Sequence, residues 1–177
     1  NGMAGAEYTI TRGNNVHAYT DTTDNNQPDF EPDGGTALNF DFTLDLNQAP
    51  GAYKSAATTN LFYMNNRIHD VMWHYGLDEA GGAFQETNYT GVGGASDEVR
   101  AEAQDGGGLN NANFATPPDG SSGRMQMYLW TGQSSGDIVT IHTPASIVGT
   151  YPAGLASFGP AITTTPVTGD LALAYDG

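Results

Sequence analysis

Cysteine is absent from the 177 residues, and with it go disulfide scaffolds, thiolate zinc sites, iron–sulfur clusters and a cysteine nucleophile. Any metal must therefore sit on histidine or oxygen ligands. Basic residues are almost as scarce: 5 Lys and Arg stand against 20 Asp and Glu, a formal charge of −15. Such a chain repels a phosphate backbone and an anionic bilayer, which excludes nucleic acid and membrane surfaces as partners. No apolar run approaches the ~18 residues of a spanning helix. The start, Asn1-Gly2-Met3-Ala4-Gly5, has neither the basic nor the apolar region of a secretion signal, so a secreted protein would already have lost it. Nucleophile elbow, P-loop and dinucleotide fingerprint are missing too; Gly91-Val92-Gly93-Gly94 lacks the third glycine spacing and opens no helix.

What is present is enough to fold. Nine Tyr, seven Phe and two Trp give a hydrophobic core its bulk, while 24 Gly and 9 Pro cut the chain into short pieces that favour strands over long helices. Glu7–Thr11 and Val16–Thr20 read as strands about the turn Gly13-Asn14-Asn15. Leu38–Leu44 alternates apolar and polar at period two, as a half-buried strand does. From Lys54 to Gly76 the pattern changes: Leu61, Met64, Ile68, Val71, Met72 and Tyr75 form the 3.6-residue stripe of one long amphipathic helix, about 54–75. Thr58 or Thr59 is the candidate cap before that stripe, with Ala56-Ala57 extending the helix further back, and Gly76 the stop. Val99–Ala103 and Arg124–Trp130 alternate again, joined by a loop rich in Gly, Asn and Pro. From Ile138 onward charge nearly vanishes, and Leu171–Tyr175 reads as a last strand before Asp176-Gly177, turn chemistry that expects a continuation.

The histidines are His17, His69, His74 and His142. His69 and His74 invite comparison with the zinc motif HExxH, but that motif needs i,i+4 spacing, and five residues at ~100° each leave the two imidazoles ~140° apart. Packing or capping suits them better. The loop Asp21–Asp29 is dense in hard oxygen ligands with no basic partner from Arg12 to Lys54, which points to a calcium ion held by some of Asp21, Asp24, Asn26 and Asp29. Its bland counterpart is a solvated turn. Asn88-Tyr89-Thr90 is an N-glycosylation sequon of the kind that also arises by chance.

The most informative residues are Gln104-Asp105-Gly106 followed by Asn110 to Gly120. With Leu38–Phe42, Leu44–Leu46, Asn60–Gly76, Phe84-Gln85-Glu86, Ala101–Ala103 and Arg124–Trp130, they resemble in order the fungalysin family of thermolysin-like zinc metallopeptidases. The resemblance implies an α+β fold: a twisted, antiparallel, β-rich N-terminal subdomain crossed by the helix 54–75. It implies a role for Asn111, whose side chain would hold a peptide substrate's backbone. Ala112 would pair with substrate through its main chain, with Asn113 and Phe114 continuing the same edge. An edge strand carries unpaired N–H and C=O groups, so an extended peptide adds to it as one more strand.

The chain departs from the family in holding no HExxH and no later glutamate to complete a zinc site. The resemblance therefore implies that zinc and the catalytic helix belong to the remaining C-terminal half of the same protein, and that residues 1–137 are the non-zinc half of a secreted endopeptidase. Residues 138–177 resemble the start of a protease-associated domain inserted before the zinc helix, which makes the chain an internal fragment, predicted inactive alone. A different class of reading is a calcium-stabilised extracellular β-rich module that binds without catalysis.

Overall fold

In the computed structural model, residues 7–131, 138–141 and 149–152 are described. The chain divides into two compact units, Asn1–Thr131 and Gly132–Gly177. Among its described residues the first carries four strands, β1 Val16–Thr20, β2 Val99–Leu109, β3 Ala112–Ala115 and β4 Arg124–Leu129, and one α-helix, α1 Lys54–Trp73. Their order across the sheet is β1-β2-β4-β3. The fold is α+β, as expected, but the sheet is mixed where antiparallel pairing was expected. β1 runs parallel to β2, with Ala18 beside Ala101, and β2 runs parallel to β4, with Ala101 beside Met125. Only β3 and β4 are antiparallel. Alternation along a strand says which face is buried and nothing about its direction; direction follows from the connection, and a long crossover such as the one containing α1 returns the chain to the same end of the sheet.

The core lies between α1 and one face of this sheet. Val16, Ala18, Val99 and Ala101 are buried, and Leu61, Phe62, Phe84 and Met125 pack on them. Alanines at the sheet centre let the helix approach closely, so Leu61 and Phe62 fill the space a larger strand residue would take. Thr58 and Asn65 are buried on the same helix face, and Asn65 Nδ2 donates to the Leu61 carbonyl at 2.9 Å, satisfying itself within the helix.

The helix begins at Lys54, where it was expected to, but without the expected threonine cap. A 3-10 turn, Pro50–Tyr53, leads directly into α1, so Thr58 is an interior, buried residue rather than a cap; proline's fixed φ starts the turn without needing a side-chain cap. At the other end Gly76 does terminate the helix. With φ at 99°, it donates to the Trp73 carbonyl at 3.2 Å while Leu77 donates to Met72 at 3.1 Å, the double closure of a Schellman motif. The apolar stripe beyond Leu61 is less covered than its spacing implies: Met64, Ile68, Val71, Met72 and Tyr75 are between 43% and 82% exposed.

Two expected strands do not form. Glu7–Thr11 contributes only an isolated bridge, Ile10 to Asp33, with Arg12 bridging His17. Leu38–Leu44 is a turn and irregular chain: Leu38 sits at φ 52°, Asn39 donates to the Gly34 carbonyl, and Phe40 and Phe42 pack edge-to-face on each other. Alternation there has no partner edge to pair with. The second unit holds an antiparallel ribbon, β5 Ile138–Ile141 and β6 Gly149–Pro152, with Val139 opposite Tyr151. Leu171–Tyr175 and His142 lie outside the described residues.

Candidate functional site

The route to the sheet edge begins with a bulge. Gln104 adopts φ 50°, and the pairing with β4 skips it, passing from Ala103–Met127 to Asp105–Tyr128. The three glycines that follow are demanded by close approach. A side chain at Gly106 would collide with the Thr22 carbonyl oxygen, and one at Gly108 would stand 3.0 Å from the Tyr128 ring. Asn110 then turns the chain in the left-handed region, φ 56°, where Asn is among the few residues tolerated. It donates its N–H to the Leu129 carbonyl at 2.9 Å, and its Oδ1 accepts from the N–H and hydroxyl of Thr131 at 2.7 and 2.9 Å.

This turn delivers β3 as the outermost strand, with all four residues, Ala112 to Ala115, exposed. Asn111, just before it, gives its carbonyl to the Tyr128 N–H at 3.3 Å, and β3 pairs Ala112 with Met127 and Asn113 with Gln126. In an antiparallel ladder bonded and non-bonded pairs alternate. Bonding at Asn111–Tyr128 therefore turns the main-chain groups of Asn113 inward and those of Ala112 and Phe114 outward, away from β4. The Asn111 side chain accepts from the Ala112 N–H at 2.8 Å; Asn113 Nδ2 donates to the Tyr128 hydroxyl at 2.6 Å; Phe114 packs edge-to-face on Phe84, centroids 5.8 Å apart. The four residues expected on one edge thus lie together. Beside them, between α1 and β4, runs an apolar groove of about 580 Å³ lined by Leu61, Met64, Met125, Met127 and Trp130 among others.

The four residues expected to hold calcium are divided. Asp29 points back along its own loop, accepting from the Thr22 hydroxyl at 2.8 Å and the Thr23 N–H and hydroxyl; these bonds, the Thr22 hydroxyl first, hold its carboxyl below the usual range. Asp24 and Asn26 take left-handed φ values of 54° and 61°. Asp21 turns inward, accepting from the Asn25 and Asn26 N–H groups at 3.0 and 2.7 Å. There it meets Glu102 and Asp105, all three buried and with carboxylate oxygens within 4.8 Å of one another. Glu102 accepts from the Tyr19 hydroxyl at 3.0 Å and from Arg124 Nε at 2.8 Å, yet burial outweighs both and pushes its carboxyl above the usual range. Asp105 accepts from the Gly107 N–H at 2.7 Å and Gln126 Nε2 at 3.0 Å. Sequence reasoning missed Glu102 and Asp105. Period-two alternation puts residues 102 and 105 on opposite faces; the bulge at Gln104 adds one residue and brings both carboxylates to one side.

His17 pairs with Glu31. His69 stacks obliquely on Trp73 with its Nδ1 3.5 Å from Asp70, and it lines one polar hollow together with His74, Asn14, Arg67 and Gln85. Among the described residues the sole close group of three metal-ligating side chains is the carboxylate one. A catalytic zinc takes histidine with one carboxylate and an open position, so these residues do not fit the zinc that the resemblance implies. The sequon is also spent: Asn88 Nδ2 donates to the Val92 and Gly94 carbonyls at 2.7 and 2.6 Å, and the Thr90 hydroxyl bonds Glu79.

The family profile described as Fungalysin metallopeptidase (M36) matches residues 1–155. An extracellular metalloproteinase 2 of Arthroderma otae is 45% identical over 127 residues, covering 71% of this chain and 20% of that protein. The extracellular metalloproteinase MEP of Fusarium vanettenii is 46% identical over 139 residues, covering 71% of this chain and 20% of its own length. That of Aspergillus flavus is 46% identical over 127 residues, with coverage of 70% and 20%. The chain spans about one fifth of the length of these relatives. By the extent of the profile match, the chain belongs to the fungalysin metallopeptidase family.

Proposed function

We propose that this chain is the substrate-cleft part of a secreted, extracellular zinc metalloendopeptidase, with the zinc ligands and general base on polypeptide outside these residues. The observation that carries the reading is the β3 edge, where Ala112 and Phe114 turn their main-chain groups away from the sheet. An extended peptide or protein substrate adds there as a further strand, held by the Asn111 side chain. The half-exposed stripe of α1 and the groove along β4 support a second element of the proposal: the remaining C-terminal half of the same protein packs here. Hydrophobic surface of this extent marks an interface rather than a finished exterior. The near-uncharged composition after Ile138 supports a protease-associated domain beginning there. A calcium ion at the loop of Asp21, Asp24, Asn26 and Asp29 stays part of the proposal, supported by its oxygen density and by the buried Glu102 and Asp105 beside Asp21.

The test compares the 177 residues alone with the complete protein. Alone, they are expected to bind no stoichiometric zinc and to cleave no casein, whereas the complete protein does both and its sequence contains HExxH. Chelator-sensitive peptidase activity in the purified 177-residue chain would refute the division of labour.

A further inference from the structure

We infer that Tyr128 is the positioning residue of the β3 edge, holding Asn111 and Asn113 together so that Ala112 and Phe114 stay turned outward; the inference rests on reading β3 as the substrate-receiving strand. Three observations converge on this residue. Its N–H donates to the Asn111 carbonyl at 3.3 Å. Its hydroxyl accepts from Asn113 Nδ2 at 2.6 Å. Its ring lies over Gly108, where an added Cβ would stand 3.0 Å from the ring carbons. The register explains why one side chain reaches both. Asn113 opposes Gln126, so Tyr128 is its diagonal neighbour on the same face, a spacing long side chains bridge.

The need for such a clamp follows from topology. β3 has four residues and one neighbour, and a short edge strand on its own frays readily. Asn110 fixes the turn before it through Thr131, but past Asn111 the side chain bonded to β3 from β4 is that of Tyr128, while Phe114 leans on Phe84. A peptide that adds to an edge populated only part of the time binds more weakly by that fraction. Once bound, the strand is ordered, and the chemical step proceeds as before. Loss of the clamp is thus a KM effect with kcat preserved.

The experiment uses the complete enzyme and an extended peptide substrate, with Tyr128→Phe, Asn113→Ala, the double variant, and Asn111→Ala as a control for the edge itself. Tyr128→Phe keeps the ring over Gly108 and removes only the hydroxyl. KM is expected to rise about two- to fivefold in Tyr128→Phe and in Asn113→Ala, with kcat unchanged and the double variant no worse than either single one. Additive losses, a fall in kcat that tracks melting temperature, or an unchanged KM beside a clear loss in Asn111→Ala overturn the positioning role and leave the edge reading in place. An unchanged KM in all variants, Asn111→Ala included, overturns the edge reading itself.

Discussion

Asn110 and Asn111 are chemically identical neighbours, the first a left-handed turn residue and the second the proposed substrate holder, so alanine at each should leave opposite signatures. At Asn110 the perturbation is conformational. The backbone is left-handed, φ 56°, which costs an alanine about 1 kcal/mol, and the two bonds from Thr131 are lost at about 0.5–1 kcal/mol each at this exposed site. Asn110→Ala should therefore destabilise by about 2–3 kcal/mol, a fall in melting temperature of several degrees for a domain of this size. Asn111 lies outside the left-handed residues, and its side chain bonds only the adjacent Ala112 N–H, so Asn111→Ala should fold almost unchanged. Its cost falls on substrate instead: loss of ~0.7–1.5 kcal/mol of transition-state binding lowers kcat/KM about three- to more than tenfold. Differential scanning calorimetry and steady-state kinetics on the complete enzyme read the two quantities independently. Full activity in Asn111→Ala refutes the substrate role, and an unaltered melting temperature in Asn110→Ala refutes the turn analysis.

Other outcomes follow from the buried carboxylates and the close-packed glycines. Thermal unfolding in calcium should be higher than in chelator if the Asp21–Asp29 loop takes a cation, and an identical midpoint at several pH values would leave a solvated turn. In chelator, Glu102 makes stability depend on pH in an uncommon direction. Its carboxyl is raised by burial, so its contribution is complete below the unfolded pKa and is lost as pH rises through the folded one; Glu102→Gln should flatten that dependence, and a steeper alkaline loss would contradict the assignment. Gly106→Ala places a methyl against the Thr22 carbonyl and should cost about 2 kcal/mol or more, measured by chemical denaturation, where a neutral result would show that the loop moves aside at no cost.

Legibility in the sequence followed the kind of signal. Local patterns were sound where one element sufficed: the Leu61-to-Tyr75 stripe located α1, Gly76 marked its end, and Val16–Thr20 and Arg124–Leu129 were readable as strands. Partner-dependent features were not. Leu38–Leu44 alternates as well as β4 does but meets no free edge, and no pattern within Val99–Ala103 announces a parallel neighbour on each side. The Asn110–Phe114 edge was reached by resemblance alone, because the function proposed for it lies in main-chain groups that every residue possesses. The carboxylate cluster escaped for another reason: it joins residues over eighty positions apart through a one-residue bulge, and a bulge is invisible to periodicity.

The two carbonyls that grip Asn88 carry a consequence for how the protein can be made. An N-linked oligosaccharide would take one of the two amide hydrogens, leaving either Val92 or Gly94 without its donor, and would need an exit where those carbonyls already stand at 2.7 and 2.6 Å. Attachment to this sequon precedes folding in hosts that perform it, so sugar and native loop compete for one nitrogen. In such a host the correctly folded pool is the unmodified one, and expression yield becomes a race between a transferase and the closing of a seven-residue loop from Asn88 to Gly94.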